Sequence, residues 1–326
     1  MTNKENVDII IEYRNLIITA LLAAKEAGEV ILNIYGSDFN VEFKNDRSPL
    51  TMADRCSQEI ITHHLRNPQM SIDGHQFPIL SEEGKDISYE ERKNWEYFWL
   101  IDPLDGTKEF IKRNGEFTVN IALIYKDSPV LGVIYAPVTD IYYFAVEGLG
   151  AYKLRGNEIV KEMKSIQDGD KIIKGNKTEK ATSFRNGRKM TELLKVILEY
   201  SNRLSTNLNS TEPVTHLTVV GSRSHATENL DDFVARMKQK HGQVNFISAG
   251  SSLKFCLIAD GRADIYPRCG PTMEWDTAAG QIIVTESGGK VLNMETHTSL
   301  RYNKKSLLNP WFLVNNKRLV EEALKT

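Results

Sequence analysis

The segment 102–107, with the sequence DPLDGT, carries two acidic side chains at a spacing suited to metal binding. A hard cation such as Mg²⁺ prefers oxygen ligands, so Asp102, Asp105 and the Leu104 carbonyl between them are candidate ligands. A proline stiffens the turn, and Gly106 allows backbone to approach a ligand closely. An ordinary polar turn is the alternative interpretation, because Asp, Pro and Gly are common turn residues.

A third candidate ligand, Asp276, lies in the segment 274–280, with the sequence EWDTAAG. The pattern places Asp276 in the first turn of a helix whose small residues allow close packing against a neighbouring element. The alternative is structural, because an acidic residue at a helix N-terminus is stabilised by the macrodipole. That alternative explains the aspartate better than it explains the small residues that follow.

Two further carboxylates stand at the ends of predicted elements. Glu82 follows a short apolar segment, and Asp54 opens a helix, where a capping role is the alternative. With Asp102, Asp105 and Asp276 they make five carboxylates, which would repel each other and raise one another's pKa unless cations neutralised them. The residues alone therefore indicate a multi-metal acidic site, and whether the five meet stays open at this point.

Hydrophobic periodicity predicts the elements that must position these acids. Predicted helices cover 9–35, 53–65, 191–200, 229–239 and 252–259, with two more starting near 275 and 316. Predicted strands cover 97–101, 117–125, 130–136, 141–146, 217–220, 244–247, 263–266, 291–292 and 311–314. The first half indicates an antiparallel meander and the second an alternation of strands and helices, which predicts an α+β half followed by an α/β half.

Composition predicts a globular protein in three parts. We expect an N-terminal α+β half over 1–154, an insertion or extended connection over the polar stretch 155–212, and a C-terminal α/β half over 213–326. A net charge of -2 gives no electrostatic reason to expect a nucleic-acid polymer as partner. Three scattered cysteines and the absence of a signal-like or membrane-spanning segment favour a cytoplasmic location, with peripheral contact at the inner membrane left open. No obligate protein partner is evident.

The two motifs together resemble the inositol monophosphatase superfamily, whose hallmark is D-P-[LI]-D-G-T followed by W-D-x-A-A-G. The longer segments 97–124, 250–256 and 266–268 are similar to its bacterial 3′(2′),5′-bisphosphate nucleotidase branch. The resemblance covers nearly the whole chain except about 155–212, which is longer than the usual connection. It implies a layered αβαβα sandwich with the site between its halves.

The resemblance also implies how the acidic residues share ions. Glu82, Asp102 and the Leu104 carbonyl would hold one Mg²⁺, and Asp102, Asp105 and Asp276 would hold a second. The resemblance further implies a third, looser ion near Glu82. It also implies that lithium should inhibit the protein by occupying a magnesium position.

By the same resemblance, Asp54 and Thr107 would orient and deprotonate the attacking water, and Glu82 would border it. The backbone N–H groups of Gly106 and Thr107 would hold the phosphate. The metal-binding residues Glu82, Leu104, Asp105 and Asp276 would also border the substrate.

Substrate selection would come from residues outside the metal cluster. Ser251, Lys254 and Arg268 match nucleotide-side positions, and two cations suit a second, 5′-phosphate. Ser224 and His225, in the segment 222–225, match a further substrate-side position. The alternatives are a solvated lysine, a surface arginine and a helix-capping histidine.

The activity implied is hydrolysis of adenosine 3′,5′-bisphosphate to AMP and phosphate, and of the 3′-phosphate of 3′-phosphoadenylyl sulfate. Such an enzyme clears a by-product of sulfate activation. An inositol or sugar phosphatase is the alternative within the superfamily. A metal or nucleotide sensor that retains the fold is the alternative outside enzymes.

Overall fold

A computed structural model describes residues 3–43, 49–67, 71–72, 75–157, 187–206, 217–222 and 228–316. Within these ranges the helices are α1 (Asn3–Tyr35), α2 (Met52–Leu65), α3 (Tyr89–Arg92), α4 (Thr107–Ile111), α5 (Gly187–Tyr200), α6 (Glu228–His241), α7 (Leu253–Ala259) and α8 (Glu274–Glu286).

The described strands form two large sheets and two small hairpins. The hairpins pair β1 (Val41–Phe43) with β2 (Pro49–Thr51) and β3 (Ser71–Ile72) with β4 (His75–Gln76). The first sheet contains β5 (Ile79–Ser81), β6 (Tyr97–Asp105), β7 (Thr118–Tyr125), β8 (Ser128–Ala136), β9 (Ile141–Val146), β10 (Gly150–Arg155) and β11 (Asn202–Arg203). The second contains β12 (Leu217–Gly221), β13 (Val244–Ser248), β14 (Ile265–Arg268), β15 (Lys290–Asn293) and β16 (Phe312–Asn315).

The strand orders differ in character between the two sheets. The first sheet runs β11-β10-β9-β8-β7-β6-β5, with β5 and β6 parallel and every other pair antiparallel. The second runs β13-β12-β14-β16-β15 and is mixed, since β12 is parallel to both neighbours while β16 is antiparallel to both of its own. An antiparallel meander can be joined by short turns, whereas parallel neighbours need helical crossovers.

The elements stack in five layers, which confirms the predicted αβαβα sandwich. Helices α1 and α2 cover one face of the first sheet, and α7 and α8 fill the space between the sheets. Helix α6 covers the outer face of the second sheet. Successive side chains of β6 point to opposite faces of the sheet and pack in two different cores. Trp99 and Ile101 pack on the α1 side, while Phe98 and Leu100 pack on the α8 side.

Strand β6 extends further than its sequence predicts. The apolar run ends at Ile101, yet the strand continues through Asp102 to Asp105, with a register irregularity against β7 between these two residues. Pairing with Asn120 and Thr118 continues the ladder past the proline. The two acidic residues are therefore fixed by sheet hydrogen bonding rather than carried on a loop.

The meander of β7, β8 and β9 is confirmed, while β10 is an addition to the predicted strands. In the described part of 155–212, α5 contacts α1 and β11 pairs with β10, while the Thr206 backbone N–H donates to the Ser287 carbonyl of the C-terminal half. The closing helix predicted from 316 falls on residues outside the described ranges. The three-part domain division stays a prediction.

Within the described residues, no helix is both long enough and apolar enough to span a lipid bilayer.

Gly132 allows α8 to lie against β8. A Cβ built on this glycine would lie 2.5 Å from Ile282 Cγ2 and 2.8 Å from the Ala279 carbonyl oxygen. We expect Gly132→Ala to lower the free energy of unfolding by about 1–3 kcal/mol, because the clash involves backbone. Urea denaturation measures the loss.

The matched control is Gly36→Ala, whose added Cβ would be 3.5 Å from the nearest atom, the Leu32 carbonyl oxygen. This control should change stability by no more than about 0.5 kcal/mol. Equal stability of both variants would contradict the close packing of α8 on β8.

Candidate active site

A cleft of about 450 Å³ opens where the end of β6 meets the first turns of α4, α7 and α8. Its lining includes the predicted site residues Glu82, Asp102, Leu104, Asp105, Gly106, Thr107, Ser251, Lys254, Arg268 and Asp276. These residues come from both halves of the chain. The sandwich therefore brings together segments that lie far apart in sequence.

Three carboxylates form a compact group in this cleft. Glu82 follows β5, Asp102 lies in β6 and Asp276 lies in the first turn of α8; one oxygen from each lies within 4.8 Å of the other two. Asp102 is 1% exposed. Three hard oxygen donors at this spacing fit a divalent cation such as Mg²⁺.

Burial and mutual repulsion govern the charge of this group. Burial raises the pKa of Asp102 well above its usual range, and the charges of Glu82, Asp105 and Asp276 raise it further. Burial likewise raises the pKa of Asp276, helped by Asp105 and Glu82. A bound cation would offset both effects, since it favours the ionised carboxylates.

Backbone N–H groups hold Asp102 and Asp276 in place. The Leu104 N–H donates to Asp102 Oδ1 at 3.1 Å, and the Met273 N–H donates to Asp276 Oδ2 at 2.8 Å. The second bond belongs to a capping arrangement at the start of α8. Asp276 thus has a structural contact at the helix N-terminus and is also a member of the acidic group.

Asp105 stands beside the three-carboxylate group rather than within it. Its Oδ2 accepts a hydrogen bond from Ser252 at 2.7 Å and one from Asn120 at 3.3 Å. Burial raises the pKa of Asp105, while the Lys254 cation and these hydrogen bonds lower it. Its charge still raises the pKa of Asp102 and Asp276, so the four acids form one electrostatic unit.

Asp54 is both a helix cap and a neighbour of the cleft. Its Oδ2 accepts from the Thr51 backbone N–H at 2.7 Å and from the Thr51 hydroxyl at 2.6 Å. Its Oδ1 lies 3.3 Å from the Thr107 hydroxyl, which also lies 3.4 Å from the Leu104 carbonyl oxygen. The capping interpretation is confirmed, and Asp54 lies beside Thr107 as expected, while the role of this pair in activating water stays a prediction.

Gly106 makes the turn from β6 into α4 with a left-handed φ of 93°. A Cβ at this position would lie 3.1 Å from the Glu116 carbonyl oxygen, so both conformation and space favour glycine. The turn exposes Thr107 to the cleft immediately beside the acids.

The second half contributes two cations, Lys254 and Arg268, to the lining of the cleft. Lys254 is 5% exposed, donates to the Ser251 carbonyl at 2.5 Å and lies 5.4 Å from the Tyr266 ring centre. Burial lowers the pKa of Lys254 to about 8, although the negative charge of Asp105 acts in the opposite direction and raises it. Arg268 is half-buried at the end of β14 and donates to the Pro271 carbonyl at 2.9 Å.

Ser251 adopts a left-handed φ of 45° where the turn enters α7. The predicted contacts Ser224 and His225 lie outside the described residues, whereas Ser222 of the same segment lines the cleft.

Sequence reasoning missed three supporting residues. Thr51 was detectable, because a threonine three positions before an aspartate is a capping signature. Asn120 was detectable as an amide within an apolar strand. Ser252 gave no signal, since only the fold shows which of two adjacent serines reaches Asp105.

A sequence model of the inositol monophosphatase family matches residues 12–326. The chain belongs to that family. Named relatives refine the match within it. A 3′(2′),5′-bisphosphate nucleotidase CysQ from Salmonella typhimurium is 39% identical over 293 residues, covering 89% of this chain and 96% of the relative. Its counterpart from Escherichia coli is 38% identical over 294 residues, covering 90% and 96%.

A solved structure of the same family gives matching evidence for the fold. CysQ from Bacteroides thetaiotaomicron, described as a bacterial member of the inositol monophosphatase family, is 45% identical with a TM-score of 0.72. The alignment covers 94% of this chain and 98% of that one. The family assignment predicted from the two motifs is confirmed.

Thr51 should stabilise the start of α2 through its hydroxyl. We expect Thr51→Val to lower the free energy of unfolding by about 1 kcal/mol, because the Ala53 N–H and Asp54 both lose a partner. Thr51→Ser keeps the hydroxyl and should retain most of the stability. Equal losses in both variants, measured by urea denaturation, would contradict the assigned cap.

Proposed function

We propose that this chain is a Mg²⁺-dependent phosphomonoesterase that hydrolyses the 3′-phosphate of adenosine 3′,5′-bisphosphate to AMP and phosphate. The observation that carries the proposal is a compact carboxylate group that shares one cleft with the cations Lys254 and Arg268. The nucleotidase relatives, at 37–39% identity, support the choice of substrate. The same site would act on the 3′-phosphate of 3′-phosphoadenylyl sulfate.

The acidic side chains are the proposed ligands for two Mg²⁺ ions. Glu82, Asp102 and the Leu104 carbonyl would hold one ion, and Asp102, Asp105 and Asp276 would hold the other. The raised pKa values of Asp102 and Asp276 support a bound cation, because ions would relieve the repulsion that raises them. A third ion near Glu82 remains a prediction. When bound, Mg²⁺ supplies Lewis-acid stabilisation of the phosphoryl, attacking and leaving oxygens.

Asp54 and Thr107 are the proposed proton acceptors for the attacking water. The Thr107 hydroxyl can take a proton from water while its own proton passes to Asp54 Oδ1, 3.3 Å away. The water oxygen then bonds to phosphorus, and the bond from phosphorus to the 3′-oxygen breaks. The 3′-oxygen takes a proton from solvent, and Asp54 returns its proton to solvent. Glu82 would border the water.

The turn into α4 is proposed to hold the transferred phosphate. Gly106 and Thr107 line the cleft, and their backbone N–H groups would donate to phosphoryl oxygens. Phosphoryl transfer depends mainly on positioning and charge neutralisation rather than on covalent chemistry by the protein. This agrees with a site whose lining contains carboxylates, hydroxyls and cations.

The substrate-side residues are proposed to recognise the second phosphate. Lys254 and Arg268 line the same cleft as the acids, and Ser251 lies at the turn before Lys254. Cations here suit the 5′-phosphate of a bisphosphate, which a simple inositol phosphate lacks. Ser224 and His225 remain predicted contacts. A cytoplasmic location and peripheral membrane contact also remain predictions.

A panel of phosphomonoesters tests the reaction. With Mg²⁺ present, we expect phosphate release to be fastest from adenosine 3′,5′-bisphosphate, slower from inositol phosphate and fructose bisphosphate, and abolished by a chelator. Restoring Mg²⁺ should restore turnover. Faster release from a sugar or inositol phosphate would favour the sugar phosphatase alternative. No release from any substrate would favour a sensor.

The two cations should account for preference between one and two phosphates. We expect Lys254→Ala with Arg268→Ala to lower kcat/KM for adenosine 3′,5′-bisphosphate by about 10- to 100-fold, corresponding to about 1.5–3 kcal/mol. The same change should affect 3′-AMP far less, because that substrate has no 5′-phosphate. Steady-state kinetics on both substrates measures the difference.

The control for this change is Arg301→Ala, which removes an exposed arginine paired with Asp127. It should leave both substrates unaffected. A double variant that loses activity equally on both substrates would contradict the assignment of the cations to the 5′-phosphate.

A further inference from the structure

A buried network of neutral side chains joins Asp105 to the turn that precedes α7. Thr118 and Asn120 project from β7 of the first sheet, and Ser252 belongs to the second half of the chain. All three are at most 1% exposed. A buried polar group destabilises the folded state unless it is hydrogen-bonded, so the partners of these three side chains matter.

Asn120 has a fixed amide orientation within this network. The Thr118 hydroxyl donates to Asn120 Oδ1 at 3.0 Å, which turns the Nδ2 group towards the cleft. Nδ2 then donates to Ser252 Oγ at 2.9 Å and to Asp105 Oδ2 at 3.3 Å. Both N–H bonds of the amide are therefore directed at Asp105 and its immediate partner.

Ser252 is held by three separate chain segments. Its Oγ lies 2.7 Å from Asp105 Oδ2 and 2.9 Å from the Asp276 carbonyl oxygen, while it accepts from Asn120. A hydroxyl has one proton, and the charged carboxylate is the stronger acceptor. The serine therefore donates to Asp105, and its fixed position limits how far that carboxylate can turn.

Repulsion between Asp105 and the neighbouring carboxylates gives a physical reason for these contacts. Asp105 lines the same cleft as the carboxylates of Asp102 and Asp276, and like charges at such close quarters repel each other. Without an anchor on Oδ2, rotation away from the other acids would relieve this repulsion. An ion that uses Asp105 as ligand would then have to pull the side chain back during binding.

We infer that Ser252 and Asn120 are positioning residues that hold Asp105 in the orientation needed for a metal ligand. The inference rests on the proposed function, in which Asp105 helps to hold the second Mg²⁺. Hydrogen-bond partners outside the ligand set orient metal ligands, and their loss typically weakens metal binding by about 10- to 100-fold. Neither residue is proposed to touch the substrate.

Calorimetric titration with Mg²⁺ alone tests this inference on the full chain. We expect Ser252→Ala to raise the Kd of one Mg²⁺ site by about 10-fold or more. Phosphate release should recover as the Mg²⁺ concentration is raised, because the defect lies in ion binding. The matched control is Ser287→Ala, another buried serine, whose hydroxyl donates to the Val284 carbonyl at 2.8 Å and which does not line the cleft.

Asn120→Ala is the second variant, so that failure of one variant to fold leaves the test intact. It should weaken the same Mg²⁺ site as Ser252→Ala. Its control is Asn316→Ala. Asn316 is buried and its side-chain amide donates to Asp264 Oδ1 at 2.7 Å, and neither residue lines the cleft. Mg²⁺ affinities of Ser252→Ala and Asn120→Ala equal to those of their controls, or tighter, would overturn the inference.

Asp105→Asn separates this inference from the proposed function. Loss of one Mg²⁺ site in Asp105→Asn with unchanged affinity in Ser252→Ala would overturn only the positioning role. Wild-type Mg²⁺ binding by Asp105→Asn would remove Asp105 from the ligand set, and the proposed function would then need different ligands. Circular dichroism and unfolding temperature establish that each variant is folded.

Discussion

Repulsion among buried carboxylates is the constraint on which this structure depends. Asp102 and Asp276 lie in a common pocket with Glu82, where removing a charge from water costs several kcal/mol per ion. Each of these two aspartates receives a backbone hydrogen bond, and Asp105 receives side-chain bonds from Ser252 and Asn120. These bonds orient the acids without cancelling their charge, which leaves that task to cations.

Glu274 and Asp276 are both acidic residues in the first turn of α8, but their different neighbours give them different roles. Glu274 is fully buried, yet it pairs with the Lys304 ammonium at 2.6 Å and accepts the backbone N–H groups of Asn303 and Lys304. Asp276, two residues further along α8, lies among other acids instead. Glu274 thereby ties the 301–309 segment to the start of α8, and Asn309 adds a bond to the Met273 carbonyl at 2.7 Å. Rigid support of this kind keeps Asp276 in place.

The two halves of the chain contribute different charged residues to the cleft. The first half supplies Glu82, Asp102 and Asp105 from strand ends, and the second supplies Asp276 together with the cations Lys254 and Arg268. Carboxylates and cations that line one cleft fit the proposed substrate, which carries two phosphates. The hydrogen bonds of Ser252 join the two halves of the chain. The position of Asp105 and that of the turn before Lys254 therefore depend on each other.

The sequence by itself determined the family, the layered fold and the acidic residues, because DPLDGT and WDTAAG are rare combinations and apolar periodicity reports directly on helices and strands. The tertiary structure decided which acids meet: Glu82, Asp102 and Asp276 form the compact group, with Asp105 held beside it. It also decided the extension of β6 through Asp102 and the roles of Asn120 and Ser252. Hydrogen bonds between segments more than 100 residues apart leave no periodic trace in a sequence, since they depend on how the layers stack.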